Sequence, residues 1–77
     1  MSPTLLIEDG FKFFFYANEH LPKHIHVIKG EEYATIDLME LTFRENYLKP
    51  ADAKKALKIV EAHRYEFENK WNEFFKR

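Results

Sequence analysis

FKFFFYANEHLPKHIHV, residues 11 to 27, decides how the rest of the chain must be arranged. It opens on an aromatic run, Phe11 to Tyr16, of the kind that favours a half-buried strand. A polar bend follows at Asn18-Glu19-His20, with Pro22 just beyond it. The stretch closes on His24-x-His26, the start of a second extended run. Three of the four histidines in the chain lie between His20 and His26. Two extended runs joined by a polar bend make a sheet the organising element.

Upstream, Thr4 to Glu8 is a short apolar run separated from Phe11 by Asp9-Gly10. A two-residue Asp-Gly loop between apolar runs marks a hairpin, because the tight turn needs positive φ at both central positions. The register pairs Glu8 with Phe11, Ile7 with Lys12, Leu6 with Phe13, Leu5 with Phe14 and Thr4 with Phe15. Both faces of this hairpin are largely apolar, so each needs a cover. Downstream, Gly30-Glu31 turns His24–Lys29 back on Glu32–Leu38. That register pairs His24 with Asp37, Ile25 with Ile36, His26 with Thr35, Val27 with Ala34 and Ile28 with Tyr33. Ile25, Val27, Ala34, Ile36 and Leu38 then share one face, and His24, His26, Thr35 and Asp37 the other. Slipping the pairing by one residue would mix the two sets. Met39 to Lys49 reads as a short strand or an ordered loop, with Leu41, Phe43, Tyr47 and Leu48 as anchors.

From about Pro50 the chain reads as helix. Proline in the first turn and Asp52 just inside it are start signals, and Lys76 and Arg77 suit the negative end of the dipole. Ala53, Leu57, Val60, Phe67, Trp71 and Phe74 recur at three-four spacing, with Arg64 in the one missing slot. Ala56 and Phe75 widen the stripe. One such helix is roughly 40 Å long, against about 17–20 Å for a strand of five or six residues. It must bend near Glu61 to Arg64 or overhang the sheet. An overhang would offer Phe67, Trp71, Phe74 and Phe75 to a partner. The expected fold is α+β: a small antiparallel sheet of two β-hairpins with one long C-terminal α-helix packed on it.

With 77 residues the chain is one domain, thinly stabilised for its size. A 17% aromatic content offsets this and excludes a disordered reading. The absence of cysteine removes disulfides and thiolate metal sites. A formal net charge of -1 gives no global basic footprint for nucleic acid. There is no signal-peptide pattern and no apolar run of the ~20 residues that span a bilayer. A cytoplasmic protein without membrane contact is expected.

FFFYANEHLPKHIHV, with the ending ALKIVEAHRYEFENKWNEFF, resembles the small prokaryotic domain-of-unknown-function family numbered four-one-six-zero. Its members show an aromatic strand, Asn-Glu-His, a proline and His-x-His-Val, then a long helix. Lys23 departs from the pattern, standing where many members have a second proline. The resemblance implies a toxin-like component of a toxin–antitoxin module that binds a small cognate protein, and it implies no catalytic mechanism.

The residues themselves suggest chemistry at the bend. His24 and His26 project from one strand face, with Asp37 across from His24. Two imidazoles and a carboxylate suit zinc or another first-row divalent metal, so His24, His26 and Asp37 form the expected metal set. His20, His24 and His26 are the candidate catalytic groups of a metal- or histidine-dependent hydrolase or nuclease. Asn18, Glu19 and Thr35 would support them, and Glu19 or His20 would close the site from the bend. The plain structural alternative has His24 donating to Asp37 and His26 to Thr35. A non-enzymatic homodimeric adaptor is a third reading. Arg44 and Arg64 are placed to meet an anionic partner without a diagnostic spacing.

Overall fold

A computed structural model describes residues 4–16 and 18–75. Its strands are β1 (Thr4–Glu8), β2 (Phe11–Phe14), β3 (His24–Lys29), β4 (Glu32–Asp37) and β5 (Phe43–Asn46). They form one antiparallel meander in the order β1-β2-β3-β4-β5. The sheet therefore has a fifth strand beyond the two expected hairpins, because Met39 to Lys49 contributes Phe43–Asn46 to its edge. Asp9 and Gly10 both take positive φ at the first turn, 54° and 84°.

The β3–β4 register matches the alternation of the sequence, with His24 opposite Asp37 and His26 opposite Thr35. In the first hairpin, Glu8, Ile7 and Leu6 pair as expected with Phe11, Lys12 and Phe13. Thr4, however, pairs with Phe14 rather than Phe15, because the register shifts between Thr4 and Leu6. A second shift lies in β5. Thr35 faces Glu45 and Ile36 faces Phe43, which leaves Arg44 without a partner.

Two helices replace the single long one: α1 (Pro50–Ala62) and α2 (Arg64–Phe74). The break at His63 resolves the length conflict, since 13 and 11 residues are about 20 and 16 Å. Each piece is then commensurate with the strands, and the overhang is not formed. Both helices cover the sheet face carrying Phe11, Phe13, Phe15, Ile25, Val27, Ala34, Ile36 and Leu38. Ala53, Ala56, Ile59 and Val60 meet it from α1, and Phe67 and Trp71 from α2. Ile59 is buried where the spacing pointed to Leu57, which packs only partly against the core. The rings interlock, Phe13 with Phe67 at 5.7 Å and Phe15 with Trp71 at 5.3 Å between centroids. Lys29 anchors the start of α1 by donating to Asp52 at 2.9 Å.

Phe67 and Trp71 are thus core residues, at 0% and 4% exposure, and not a free docking edge. Phe74 remains 45% exposed and Phe75 is partly buried. No described helix is long and apolar enough to cross a membrane. Lys76 and Arg77 lie outside the described residues.

Candidate functional site

The sheet face away from the helices gathers His24, His26 and Thr35. The 18–23 bend folds back over the start of β3 and is tied to α2 by Lys23 and Glu68, 3.2 Å apart. This return lays the Glu19 side chain, only 8% exposed, against both imidazoles. Its Oε1 lies 2.8 Å from His24 Nε2 and its Oε2 lies 2.6 Å from His26 Nε2. The Tyr16 amide also donates to Oε2, at 2.9 Å. One candidate ligand atom from each of Glu19, His24 and His26 lies within 4.8 Å of the other two.

The far sides of the rings are held as well. His26 Nδ1 lies 3.2 Å from the Thr35 hydroxyl. The same ring stacks on Phe14 at 5.5 Å and meets Tyr16 edge-on at 4.5 Å. Trp71 lies 5.2 Å from the His24 ring. His24 Nδ1 has two neighbours, the Pro22 carbonyl oxygen at 2.7 Å and Arg44 Nη1 at 2.8 Å. A ring nitrogen either donates or accepts. Donation to Pro22 leaves Arg44 unbonded there, and acceptance from Arg44 leaves Pro22 unbonded.

The electrostatics follow from burial and this network. The Glu19 carboxyl is pushed up by burial. The Tyr16 amide, the His24 hydrogen bond and the charges of His26 and His24 outweigh that, and hold it below its ordinary 4.5. Burial pulls the His26 imidazole below its ordinary 6.5, against the upward pull of Glu19 and with a smaller downward push from His24.

Asp37 occupies the expected register position but faces its own turn. Its Oδ1 accepts from the Met39 and Glu40 amides, both at 2.8 Å. The carboxylate that meets both histidines is Glu19. Thr35 lies beside His26. His20 is exposed on the helix side of Glu19, in an open groove of about 770 Å³ with Leu21, Lys23, Trp71, Asn72 and Phe75. The structure does not bring it into the separate cavity of about 360 Å³ lined by His24, His26, Thr35, Arg44 and Glu45. Asn18 is exposed on the bend.

Two parts of the arrangement exceed what the residue pattern suggested. Glu19 contacts both imidazoles directly. The signal for that is its spacing before His24-x-His26 across a proline-containing reversal. Arg44 joins the site only because β5 carries an unpaired residue, for which the sequence has no comparable signal.

A two-imidazole, one-carboxylate donor set suits a zinc-class ion, with bonds of about 2.0–2.2 Å. Ligand atoms around such an ion stand about 3.3 Å apart, so the carboxylate, at 2.8 and 2.6 Å from the two rings, would move away from them to admit the ion. Both Nδ1 atoms already face an oxygen that can accept their N–H, which is how metal-ligating histidines are normally oriented.

Residues 10–72 match the family described as Domain of unknown function (DUF4160). Neither the curated proteins nor the solved structures contain a match.

Proposed function

Since the chain belongs to the DUF4160 family, whose description carries no chemistry, we propose from the geometry that Glu19, His24 and His26 hold a divalent zinc-class ion in a small hydrolase. One observation carries this reading. His24 Nδ1 lies 2.7 Å from the Pro22 carbonyl, which can only accept, so in that contact Nδ1 bears the hydrogen. Neutral His24 then presents a bare Nε2 to a carboxylate oxygen 2.8 Å away. A second proton on Nε2, which would make His24 an imidazolium, or a metal ion relieves that contact; the metal is favoured because His26 supplies a second imidazole to the same carboxylate.

Glu19, His24 and His26 would hold the ion, which when bound would supply an activated water, its pKa lowered to about 7. The protein's own part is to hold the ligands and to exclude bulk water with Trp71, Phe14 and Tyr16. It admits substrate through the cavity beside Thr35, Arg44 and Glu45. In the overall hydrolysis, water adds to the electrophilic centre, the bond to the leaving group breaks, and the proton passes to the leaving group. The test is metal analysis of the purified protein with a zinc titration of wild type and of His24→Ala/His26→Ala. Stoichiometric zinc in the wild type alone supports the reading. No retained metal and no zinc binding would sink it.

A second reading rests on the opposite side of the fold from the helices. Ile7, Tyr16, Tyr33 and Tyr47 are each at least 44% exposed on described residues of the sheet region, and Tyr33 and Tyr47 pair at 4.8 Å. A small cognate protein docking there would suit the toxin-like role in a two-protein module that the family resemblance implies. Co-expression with the adjacent gene product should give a complex that Tyr33→Ser/Tyr47→Ser weakens. Failure to form any complex would remove this reading.

A further inference from the structure

Arg44 is placed by a local irregularity. In a regular strand, neighbouring side chains alternate between faces. β5 instead sets two residues, Arg44 and Glu45, against the single position Thr35, because the register jumps before Ile36 pairs with Phe43. This is the geometry of a bulge, which re-aims a side chain and breaks alternation. Both Arg44 and Glu45 consequently line the cavity containing His24, His26 and Thr35. Arg44 is the one permanently cationic side chain on that lining.

The guanidinium has no acidic partner within 4.0 Å among the described residues; its Nη1 lies 2.8 Å from His24 Nδ1. That contact excludes the donation from Nδ1 to Pro22 that goes with a metal on Nε2. An ion bound by Glu19, His24 and His26 would fix the hydrogen on Nδ1 and displace Arg44 from the ring. A cation fork would then stand free at the mouth of the cavity, beside the Thr35 hydroxyl.

From this, and resting on the metal reading above, we infer that Arg44 is the oxyanion-binding residue of the site and that its substrates are phosphoesters. The planar fork matches two phosphoryl oxygens, with Thr35 as an added donor. Glu45 on the same wall disfavours extra negative charge, so the inference is a single phosphoryl group between the metal ligands and Arg44. The anion and the metal are coupled, and the coupling is reciprocal. Arg44 also opposes the metal before the anion arrives, because it stabilises the His24 tautomer that keeps hydrogen on Nε2.

The experiment is calorimetric titration of wild type and Arg44→Gln, first with zinc alone and then with inorganic phosphate on the stoichiometrically zinc-loaded proteins. Loading both proteins to the same extent removes direct phosphate–zinc binding from the comparison. Arg44→Gln should bind zinc as tightly as wild type or several-fold more tightly. It should bind phosphate about tenfold more weakly, as expected for loss of a charge-assisted fork. A merely structural Arg44 would weaken both ligands together, and that outcome overturns the inference. Unchanged phosphate affinity with intact zinc binding overturns it too, while leaving the metal reading standing. No zinc binding by wild type overturns both. Arg44→Lys keeps the charge without the fork and should recover only part of the phosphate affinity.

Discussion

Trp71→Ala separates a core residue from a docking anchor. Trp71 is 4% exposed. Its indole lies edge-on to Phe15 at 5.3 Å, against Phe75 at 4.4 Å and beside His24 at 5.2 Å. Truncation removes the closing wall of the core and leaves a cavity in a place where the sheet cannot collapse. Such substitutions cost about 3–5 kcal/mol. A domain of this length has a total stability of only about 4–12 kcal/mol, so the loss is a large part of it. At about 4–8 °C per kcal/mol the melting temperature should fall by at least about 12 °C. Far-UV circular dichroism is the right assay, since the chain's only tryptophan is lost. Phe74→Ser is the control: at 45% exposure it should cost about 1 kcal/mol or less. A Trp71→Ala melt within about 5 °C of wild type would refute the packing of Trp71 against Phe15 and Phe75 and restore the helix end as a free surface.

Zinc added at about a hundred times its Kd should stabilise the protein by about 2.7 kcal/mol, raising the melting temperature by roughly 10–20 °C, and chelation should abolish the rise. Glu19→Gln replaces one ligand oxygen with an amide nitrogen that meets the imidazoles as a donor. Its zinc affinity should fall by at least about 100-fold, the upper end of what losing an outer-shell partner costs; titration with undiminished affinity would exclude Glu19 as a ligand. In the metal-free protein, acid should destabilise. His26 is held below its ordinary 6.5 and Glu19 below its ordinary 4.5. Both shifts are downward, so each contribution is complete above the ordinary value and is lost as the pH falls below it. Urea midpoints in chelator should decline first below about pH 6.5 and again below 4.5; midpoints that rise on acidification would contradict the buried network.

The elements most legible in the sequence are those with strict periodicity. The alternation of Ile25, Val27, Ala34, Ile36 and Leu38 against His24, His26, Thr35 and Asp37 locates the β3–β4 pairing residue for residue. Asp9-Gly10 locates the first turn because its positive φ values have few alternatives. The helix stripe was legible too, but it runs smoothly past the break at His63, because Arg64 reads as a tolerated gap. In the structure Arg64 donates to the Met39 carbonyl at 3.0 Å, so that slot belongs to a tertiary contact that periodicity does not encode. β5 is four residues long and three of them are exposed, which leaves too little hydrophobic pattern to mark it.

The site divides along the same line. Its histidines are legible because two residues on one strand share a face by geometry alone. Which carboxylate meets them depends on competition between two local conformations. Asp37 follows its own short-range preference and accepts from the amides two and three residues on, an arrangement natural to aspartate at a turn. Glu19 has the longer side chain and sits on a reversal that carries it back over His24 and His26. The carboxylate adjacent in register was therefore diverted to the backbone, and the one adjacent in sequence was delivered by the bend. Arg44 was delivered by neither route. A bulge shifts one residue between faces without any change in composition, so its side chain joins the histidines only through the pairing of Thr35 with Glu45 and Ile36 with Phe43. A polar cluster built from a strand, a bend and a bulge depends on all three local geometries at once. Deleting Glu45 should therefore straighten β5 with Arg44 opposite Thr35 and the cation kept in the cavity, whereas deleting Arg44 should straighten it with the cation lost. Both should leave Glu19, His24 and His26 in place, so that zinc titration gives the wild-type affinity for each.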